Sequence, residues 1–253
     1  MTRHHWQLSL SAAILVTAAA GATPAAAQPS PQPRLEISAN VGAVAGTSTF
    51  TESKGIPSNG GETETITADH GVKTPLAFNA GGAVRLAGGL WVGVQYAMAD
   101  MKTAASITAV VPHPLLFNAP RTVQGTIDDA VHNERNVHVD LMYALPVPAV
   151  DVKVLAGPTF FNLTEDFVSS VTVNETYPFD TATFASAATK RLSKSAVGFN
   201  AGVDLARALS SHLAVGALIR YSRADVTFND SEIGTQTVKA GGVEATAGIR
   251  FRF

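Results

Sequence analysis

Most of the chain alternates between apolar and polar or small residues. The first such stretch, residues 35–45, has apolar side chains at odd positions and Glu36, Ser38 and Asn40 at even positions. Because successive side chains of a β-strand point to opposite faces, this period of two predicts strands. Seven further stretches repeat it, at residues 76–86, 90–98, 136–143, 150–154, 197–205, 213–221 and 243–253. The sequence therefore predicts an all-β protein of eight strands.

The connections between these strands alternate between long and short. Three are tight and built from turn-forming residues, namely Gly88-Gly89, Pro146-Val147-Pro148 and Ser210-Ser211. The others cover residues 51–73, 104–130, 166–195 and 229–239. Short turns at one end and long loops at the other are typical of bacterial outer-membrane barrels, whose smallest usual strand number is about eight. We therefore predict a transmembrane antiparallel up-and-down β-barrel with short periplasmic turns and long external loops.

The polar face of the strands carries charges of both signs, interleaved with glycines. They are Arg85, Asp140, Asp151, Lys153, Asp204, Arg220, Glu244, Arg250 and Arg252. A soluble antiparallel barrel or sandwich would alternate too, with its apolar face inward. In a membrane barrel the polar face lines a lumen that side chains can fill, and buried charges there need partners. We expect a network in which four of the bases pair with the four acids and close the lumen; a charged, water-filled path is the alternative. The expected bases are Arg85, Lys153, Arg220 and Arg250, and the expected acids are Asp140, Asp151, Asp204 and Glu244.

An export signal is predicted ahead of the strands. Arg3 precedes residues 8–20, which are apolar or small with three hydroxyl residues, and Ala25-Ala26-Ala27 forms a small-x-small cleavage site. We predict a signal peptide over residues 1–27, a Pro-rich tether over 28–33 and a barrel domain over 34–253. A helical anchor is disfavoured, because a span needs roughly 20 strongly apolar residues.

Composition excludes several other classes of protein. The chain has 253 residues and no cysteine, so a disulfide scaffold and a thiolate metal site are ruled out. With 46% hydrophobic and 15% charged residues, it is not a disordered chain. A formal net charge of -2 gives no overall argument for nucleic-acid binding, and no nucleic-acid partner is expected.

The final seven residues, AGIRFRF, carry a resemblance to a known family. Ile249, Phe251 and Phe253 alternate and end the chain on an aromatic residue. This resembles the C-terminal insertion signal of Gram-negative outer-membrane β-barrel proteins, and the mature chain is similar to the small eight-stranded barrels of the OmpA and OmpX type. The resemblance implies a place in the cell outer membrane, contact with its lipid, and recognition of the last strand by the barrel-insertion machinery. It implies no particular activity, because such barrels include anchors, adhesins, small pores and a few lipid-modifying enzymes.

One stripe of polar residues could carry chemistry. It alternates along one predicted strand face and consists of His132, Glu134, Asn136, His138 and Asp140. Imidazoles with carboxylates can bind a metal or transfer protons. Residues two apart in a strand lie about 6–7 Å apart, however, so a metal would need ligands from neighbouring strands. We interpret the stripe as polar lining of the lumen.

No recognised catalytic motif occurs in the sequence. HExxH, GxSxG, the P-loop and the EF-hand loop are all missing. Ser210-Ser211-His212 has the composition of a turn. We therefore expect no catalytic residue, no metal site and no cofactor, and a lipid-modifying enzyme is the least favoured alternative.

The long connections leave the function open. Residues 51–73 are polar and glycine-rich and are expected to form a mobile loop, whereas 104–130 and 168–184 are unusually apolar. We interpret the apolar stretches as strands that continue above the membrane and pack on each other; the alternative is a surface that binds an unidentified external partner. The sequence thus predicts a non-enzymatic outer-membrane barrel with a structural or surface-binding role, or else a narrow channel for small solutes or ions.

Overall fold

A computed structural model describes residues 33–45, 49–58, 61–71 and 74–253. These contain the strands β1 (Leu35–Ala45), β2 (Phe50–Pro57), β3 (Thr63–Gly71), β4 (Leu76–Ala87), β5 (Leu90–Val111), β6 (Arg121–Leu145), β7 (Asp151–Glu175), β8 (Ala182–Ala208), β9 (Leu213–Asp230) and β10 (Gly234–Arg252). The predicted signal peptide, and the predicted tether up to Gln32, lie outside these residues. Within them, no helix has the length and apolar character needed to cross a membrane.

Eight of the strands close into an antiparallel ring. Starting at β1, the neighbours are β10, β9, β8, β7, β6, β5 and β4, and β4 pairs with β1 again. β2 and β3 form a hairpin between β1 and β4, and β3 pairs with the part of β5 that lies beyond β4. A closed ring pairs every backbone N–H and C=O without leaving an edge, as a hydrocarbon environment requires. The prediction of an eight-stranded antiparallel barrel is confirmed.

The two ends of the barrel differ as predicted. Short turns at residues 88–89, 146–150 and 209–212 share one end with the start of β1 and the end of β10. There the Phe253 N–H donates to the Leu35 carbonyl at 2.9 Å and closes the ring. The opposite end carries the β2–β3 hairpin and the connections at residues 112–120, 176–181 and 231–233.

An apolar belt surrounds the end of the barrel that carries the short turns. Its exposed side chains include Ile37, Phe78, Val94, Leu141, Phe199, Ile219 and Ile249. The belt ends on adjacent strands at Met98, Val137 and Phe160. The next outward positions are Asp100, Arg135 and Asn162, and Arg135 forms an ion pair with Asp100. This change from apolar to charged residues marks the external boundary of a hydrocarbon layer, which is about 25 Å thick in such barrels.

Beyond the belt, the strands continue into an extracellular extension. The β6–β7 ladder ends at His132–Glu165 and the β8–β9 ladder ends at Phe199–Arg223, so the wall above divides into separate hairpins. Two apolar clusters fill the interior of this extension. One includes Phe161, Phe167, Val226, Phe228, Ile233 and Val238; the other includes Ile66, Ala68, Ile107, Val123 and Val168.

These clusters explain the apolar connections of the sequence. Residues 104–130 and 166–195 are largely strand and leave only short loops at 112–120 and 176–181, which agrees with strands that continue above the membrane. The long loop expected over residues 51–73 contains two strands, β2 and β3, which the sequence did not predict. The physical reason is the alternation of Ile66 and Ala68, which are fully buried in the second apolar cluster.

Candidate functional site

A buried ion pair lies in the membrane-spanning part of the lumen. Arg220 on β9 donates from Nη2 to Oδ2 of Asp140 on β6 at 2.6 Å, and both side chains are fully shielded from solvent. Glu244 on β10 lies 4.0 Å from Nη1 of the same guanidinium. Gly202 on β8 is the direct cross-strand partner of Arg220, and its missing side chain leaves room for the arginine.

A second buried pair lies nearer the periplasmic end. Arg250 donates to Asp204 at 2.7 Å and to the side-chain oxygen of Asn40 at 2.7 Å. Asn40 in turn donates to Asn79 at 2.5 Å, and Asn79 donates to Glu244. This amide bridge joins the two ion pairs into one network across the lumen.

A third group of charges closes the periplasmic mouth. Lys153 donates to Glu36 at 2.7 Å, and the same carboxylate lies 3.2 Å from Arg252. Arg252 also pairs with Asp151 at 2.6 Å, where Asp151 is half exposed. The Lys153 ammonium lies 4.5 Å from the ring centroid of Trp91, which is buried inside the barrel.

The structure places seven of the eight expected network residues in these contacts and leaves one out. Arg85 lies near the end of β4, where its Nε donates to the Gly88 carbonyl at 2.6 Å and not to a lumen acid, so its expected place in the network is wrong. At the mouth the guanidinium reaches water and needs no buried partner. Glu36 and Arg252 were not expected among these pairs, although the strand alternation already placed both on the polar face.

The polar stripe of β6 lines the lumen from its middle to its external end. His132, Glu134, Asn136, His138 and Asp140 are all buried. His138 Nδ1 lies 2.8 Å from the Thr159 hydroxyl on β7. Among the residues that the structure describes, no group of three or more His, Asp or Glu side chains is arranged to hold a metal ion.

A histidine held by two carboxylates lies just above the apolar belt. His132 contacts Glu165 through Nδ1, and its Nε2 lies 3.4 Å from Glu134. Burial alone would lower the pKa of His132, but its hydrogen bonds to Glu134 and Glu165 and their negative charges raise that pKa to about 10. The imidazole is therefore a cation at neutral pH, and it joins β6 to β7 at the last rung of their ladder.

The β2–β3 hairpin crosses the external mouth of the barrel. Glu52 of β2 accepts a hydrogen bond from the Val168 N–H at 2.8 Å, and Lys54 donates to the Ser169 carbonyl. Val168 and Ser169 belong to β7, on the side of the ring opposite β1. These side chains satisfy backbone groups of β7 where its ladder with β6 has ended. The hairpin thus covers the lumen from above.

The apex of the extension is formed by two loops that one buried arginine holds together. Arg121 donates to the Pro112 carbonyl at 2.8 Å in its own loop. It also donates to Glu175 at 2.5 Å and to the Phe179 carbonyl at 2.9 Å in the β7–β8 hairpin. A charged donor with three acceptors in two loops fixes their relative position.

Large apolar side chains point outward from this clamped apex. Leu115, Leu116 and Phe117 are 64%, 54% and 70% exposed, and Tyr177 in the neighbouring loop is 77% exposed. They lie beyond the lipid belt and outside both apolar clusters. All four belong to the apolar stretches 104–130 and 168–184 that the sequence marked as unusual, for which a partner-binding surface was the alternative interpretation. Their position at the Pro-rich turn between β5 and β6, or next to Pro178, is the sequence signal that separates them from the apolar residues of the strands.

A serine–histidine contact occurs at the opposite end of the barrel. The Ser211 hydroxyl lies 2.8 Å from His212 Nδ1 in the exposed turn between β8 and β9. The two residues are neighbours in sequence, and the Ser210 hydroxyl caps the N–H groups of His212 and Leu213 in the same turn. This agrees with the turn composition noted in the sequence.

An eight-stranded ring with an apolar belt and a charged lumen defines an integral outer-membrane β-barrel protein. The chain belongs to the outer membrane protein beta-barrel domain family, whose model matches residues 12–251. Ile249, Phe251 and Phe253, the residues of the predicted insertion signal, face outward at the end of β10. No curated protein sequence matches the chain.

Solved structures of outer-membrane proteins are similar to this chain. They include OprG from Pseudomonas aeruginosa, with 13% identity and a TM-score of 0.47 over 88% of this chain and 96% of that one. Neisserial surface protein A has 15% identity and a TM-score of 0.40 over 87% and 97% of the two chains. Ail of Yersinia pestis has 15% identity and a TM-score of 0.39 over 87% and 100%.

Proposed function

We propose that this outer-membrane protein is a non-enzymatic, surface-binding barrel whose function lies at its external apex. The observation that carries the proposal is the Arg121 clamp, which holds two loops in one position while Phe117 and Tyr177 remain 70% and 77% exposed. Soluble surfaces rarely display clusters of large apolar side chains unless they bind something. A pre-ordered loop pair loses little conformational entropy on binding.

The filled lumen supports an external site of function. Two buried ion pairs and an amide bridge cross the membrane-spanning part, and the β2–β3 hairpin covers it from above. We further propose that Ile249, Phe251 and Phe253 contact outer-membrane lipid and are recognised by the barrel-insertion machinery during assembly, because they form the outward face of the last strand.

A cell-adhesion assay tests the proposed function. Cells that display the wild-type barrel are compared with cells that display Phe117→Ser/Tyr177→Ser, on immobilised proteins and on supported lipid. We expect wild-type cells to adhere to at least one surface and the double variant to lose most of that adhesion. Leu209→Ser is the matched control, because Leu209 is 61% exposed at the periplasmic end. Equal adhesion by the wild type and the double variant would show that the apex is not the binding surface.

A narrow channel is the second candidate, and the lumen itself favours it. His138 Nε2, Asp140 Oδ1 and Arg220 Nε are buried and have no hydrogen-bond partner among the described residues. Buried polar atoms of this kind are commonly satisfied by water. A hydrated lumen would conduct if both the β2–β3 hairpin and the ion-pair network below it moved.

Ion conductance in a planar lipid bilayer separates the two candidates. The wild type is compared with Glu52→Ala/Lys54→Ala, which removes both side chains that tie the hairpin to β7. A surface-binding barrel gives no current steps in either form, although the protein is inserted. Discrete steps in the wild type, or steps that the double variant makes more frequent, would favour the channel.

A further inference from the structure

The apex combines exposed apolar side chains with acidic charge. The two loops that form the apex, residues 112–120 and 176–181, contain Asp180 but no Lys or Arg, and Glu62 accepts a hydrogen bond from the Asn118 N–H at 2.9 Å. Asp180 has a side chain that is 70% exposed, and Nε2 of the buried His113 lies 3.8 Å from its carboxylate. Arg121, directly after the first of these loops, is buried and bonded on Glu175 and two carbonyls, so its charge is already balanced. The exposed surface of the apex is therefore apolar and negative.

The backbone of the apex is held in an unfavourable conformation. Asn118 and Phe179 have φ angles of 59° and 72°, and the only other non-glycine residue with positive φ among those that the structure describes is Ala149. A bulky side chain such as that of Phe179 rarely adopts this region. Each of the two residues is fixed from another loop: the Asn118 N–H donates to Glu62 at 2.9 Å, and the Phe179 carbonyl accepts from Arg121. Strain that neighbouring groups maintain in this way clusters at binding sites.

We propose that the apex binds a cationic amphipathic peptide segment, with its apolar side chains against Leu116, Phe117 and Tyr177 and its Lys or Arg side chains facing Glu62 and Asp180. This inference rests on the proposed surface-binding function and names its partner class. Charge complementarity selects the peptide over the other occupants. An anionic lipid surface would be repelled by the acids, and a second copy of the apex would bring like charges together.

The test uses the refolded full-length barrel in a zwitterionic detergent and three synthetic fluorescent peptides. One is an amphipathic Lys/Leu helix, the second has Glu in place of every Lys, and the third is the Lys/Leu composition in a scrambled, non-amphipathic order. Anisotropy titrations should show saturable binding of the first peptide and at least tenfold weaker binding of the other two. Added salt should weaken the binding of the first peptide, because part of the attraction is between exposed charges.

Variants of the apex locate the binding surface. Phe117→Ser/Tyr177→Ser should weaken binding of the Lys/Leu peptide at least tenfold, and Asp180→Lys should weaken it several-fold. Asp129→Lys is the matched charge control, because the Asp129 side chain is 79% exposed and lies on β6 away from the apex loops. It should leave binding unchanged.

Three outcomes would overturn the inference. In the first, the Lys/Leu and Glu/Leu peptides bind the barrel equally well. In the second, the wild type and the Phe117→Ser/Tyr177→Ser variant bind the Lys/Leu peptide equally well. In the third, the apex captures phosphatidylcholine vesicles but binds no peptide. If the peptide does not bind but displayed cells still adhere through the apex, the partner class is wrong and the surface-binding function stands. If neither is observed, the proposed function fails as well.

Discussion

Arg220 and Asp140 form an ion pair across the barrel lumen, with 2.6 Å between Nη2 and Oδ2 and neither side chain exposed to solvent. They lie on β9 and β6, strands that are not neighbours in the ring, so the pair spans the interior and does not follow a ladder. Removing charges from water costs several kcal/mol per ion, and only a partner with good geometry offsets that cost. The pair therefore makes each residue dependent on the other.

Loss of one partner should destabilise the barrel strongly. Asp140→Ala leaves the Arg220 guanidinium buried with Glu244 4.0 Å away as its nearest remaining carboxylate, and we expect a loss of about 3–5 kcal/mol in the free energy of unfolding. Urea unfolding in lipid vesicles measures this, with the fluorescence of Trp91 as the signal. The double variant Asp140→Leu/Arg220→Met is the control. It should regain most of the stability, and a double variant no better than Asp140→Ala would contradict the pairing.

The contribution of His132 to the free energy of unfolding should fall as the pH rises. The pKa of His132 is raised from 6.5 to about 10, so the folded barrel holds this proton more tightly than the unfolded chain. The stabilisation is complete below pH 6.5 and is lost as the pH rises towards 10. We expect the free energy of unfolding to fall by a few kcal/mol, as an order of magnitude, between about pH 6.5 and 10.

His132→Gln is the variant that isolates this effect. Glutamine keeps a hydrogen-bonding side chain but does not titrate in this pH range. The unfolding free energy of the variant should therefore be lower than that of the wild type at pH 6.5 and much less dependent on pH. Urea titrations of both proteins at several pH values provide the measurement. An unchanged slope in the variant would assign the pH dependence to other groups.

The strand period predicted the barrel well because it is a local property. Three consecutive residues already show the two faces of β1: Ile37 faces lipid, whereas Glu36 and Ser38 face the lumen. The pairing of charges was predicted less completely, since the partner of Lys153 is Glu36, far away in sequence and brought close only by ring closure. Strand tilt and stagger decide such contacts, and neither can be read from alternation.

The β2–β3 hairpin and the Arg121 clamp were not predictable for a related reason. The contacts of Glu52 with Val168 and of Arg121 with Phe179 join segments that no ladder connects. The composition of residues 104–130 did signal something unusual, but an apolar stretch above a membrane fits both an internal cluster and an exposed apex. The structure assigns Ile107 and Val123 to the first and Phe117 to the second.

Glycines on the lumen face should be needed where they lie against arginine. A Cβ on Gly216 would lie 2.4 Å from the Leu205 carbonyl oxygen and 2.8 Å from the Arg250 guanidinium, so Gly216→Ala must displace a backbone group or the ion pair with Asp204. We expect a loss of about 1–3 kcal/mol. Gly82→Ala is the matched control, because its Cβ would meet only the Glu36 carbonyl, at 3.5 Å. If Gly216→Ala and Gly82→Ala lowered the urea midpoint equally, this explanation would be contradicted.

The Arg121 clamp should control the order of the apex without supporting the barrel. Arg121→Met keeps much of the side-chain volume but loses the hydrogen bonds to Pro112, Glu175 and Phe179. The loops would then open locally, at a cost well below that of global unfolding. Chymotrypsin, which cleaves after large apolar residues, should cut the variant after Phe117 several-fold faster than the wild type. The unfolding free energy of the membrane-spanning part, followed by Trp91, should change little, because Trp91 lies at the periplasmic end. Equal cleavage rates would mean that the prolines and the strand ends hold the apex without the arginine, whereas a large loss of barrel stability would make Arg121 part of the core.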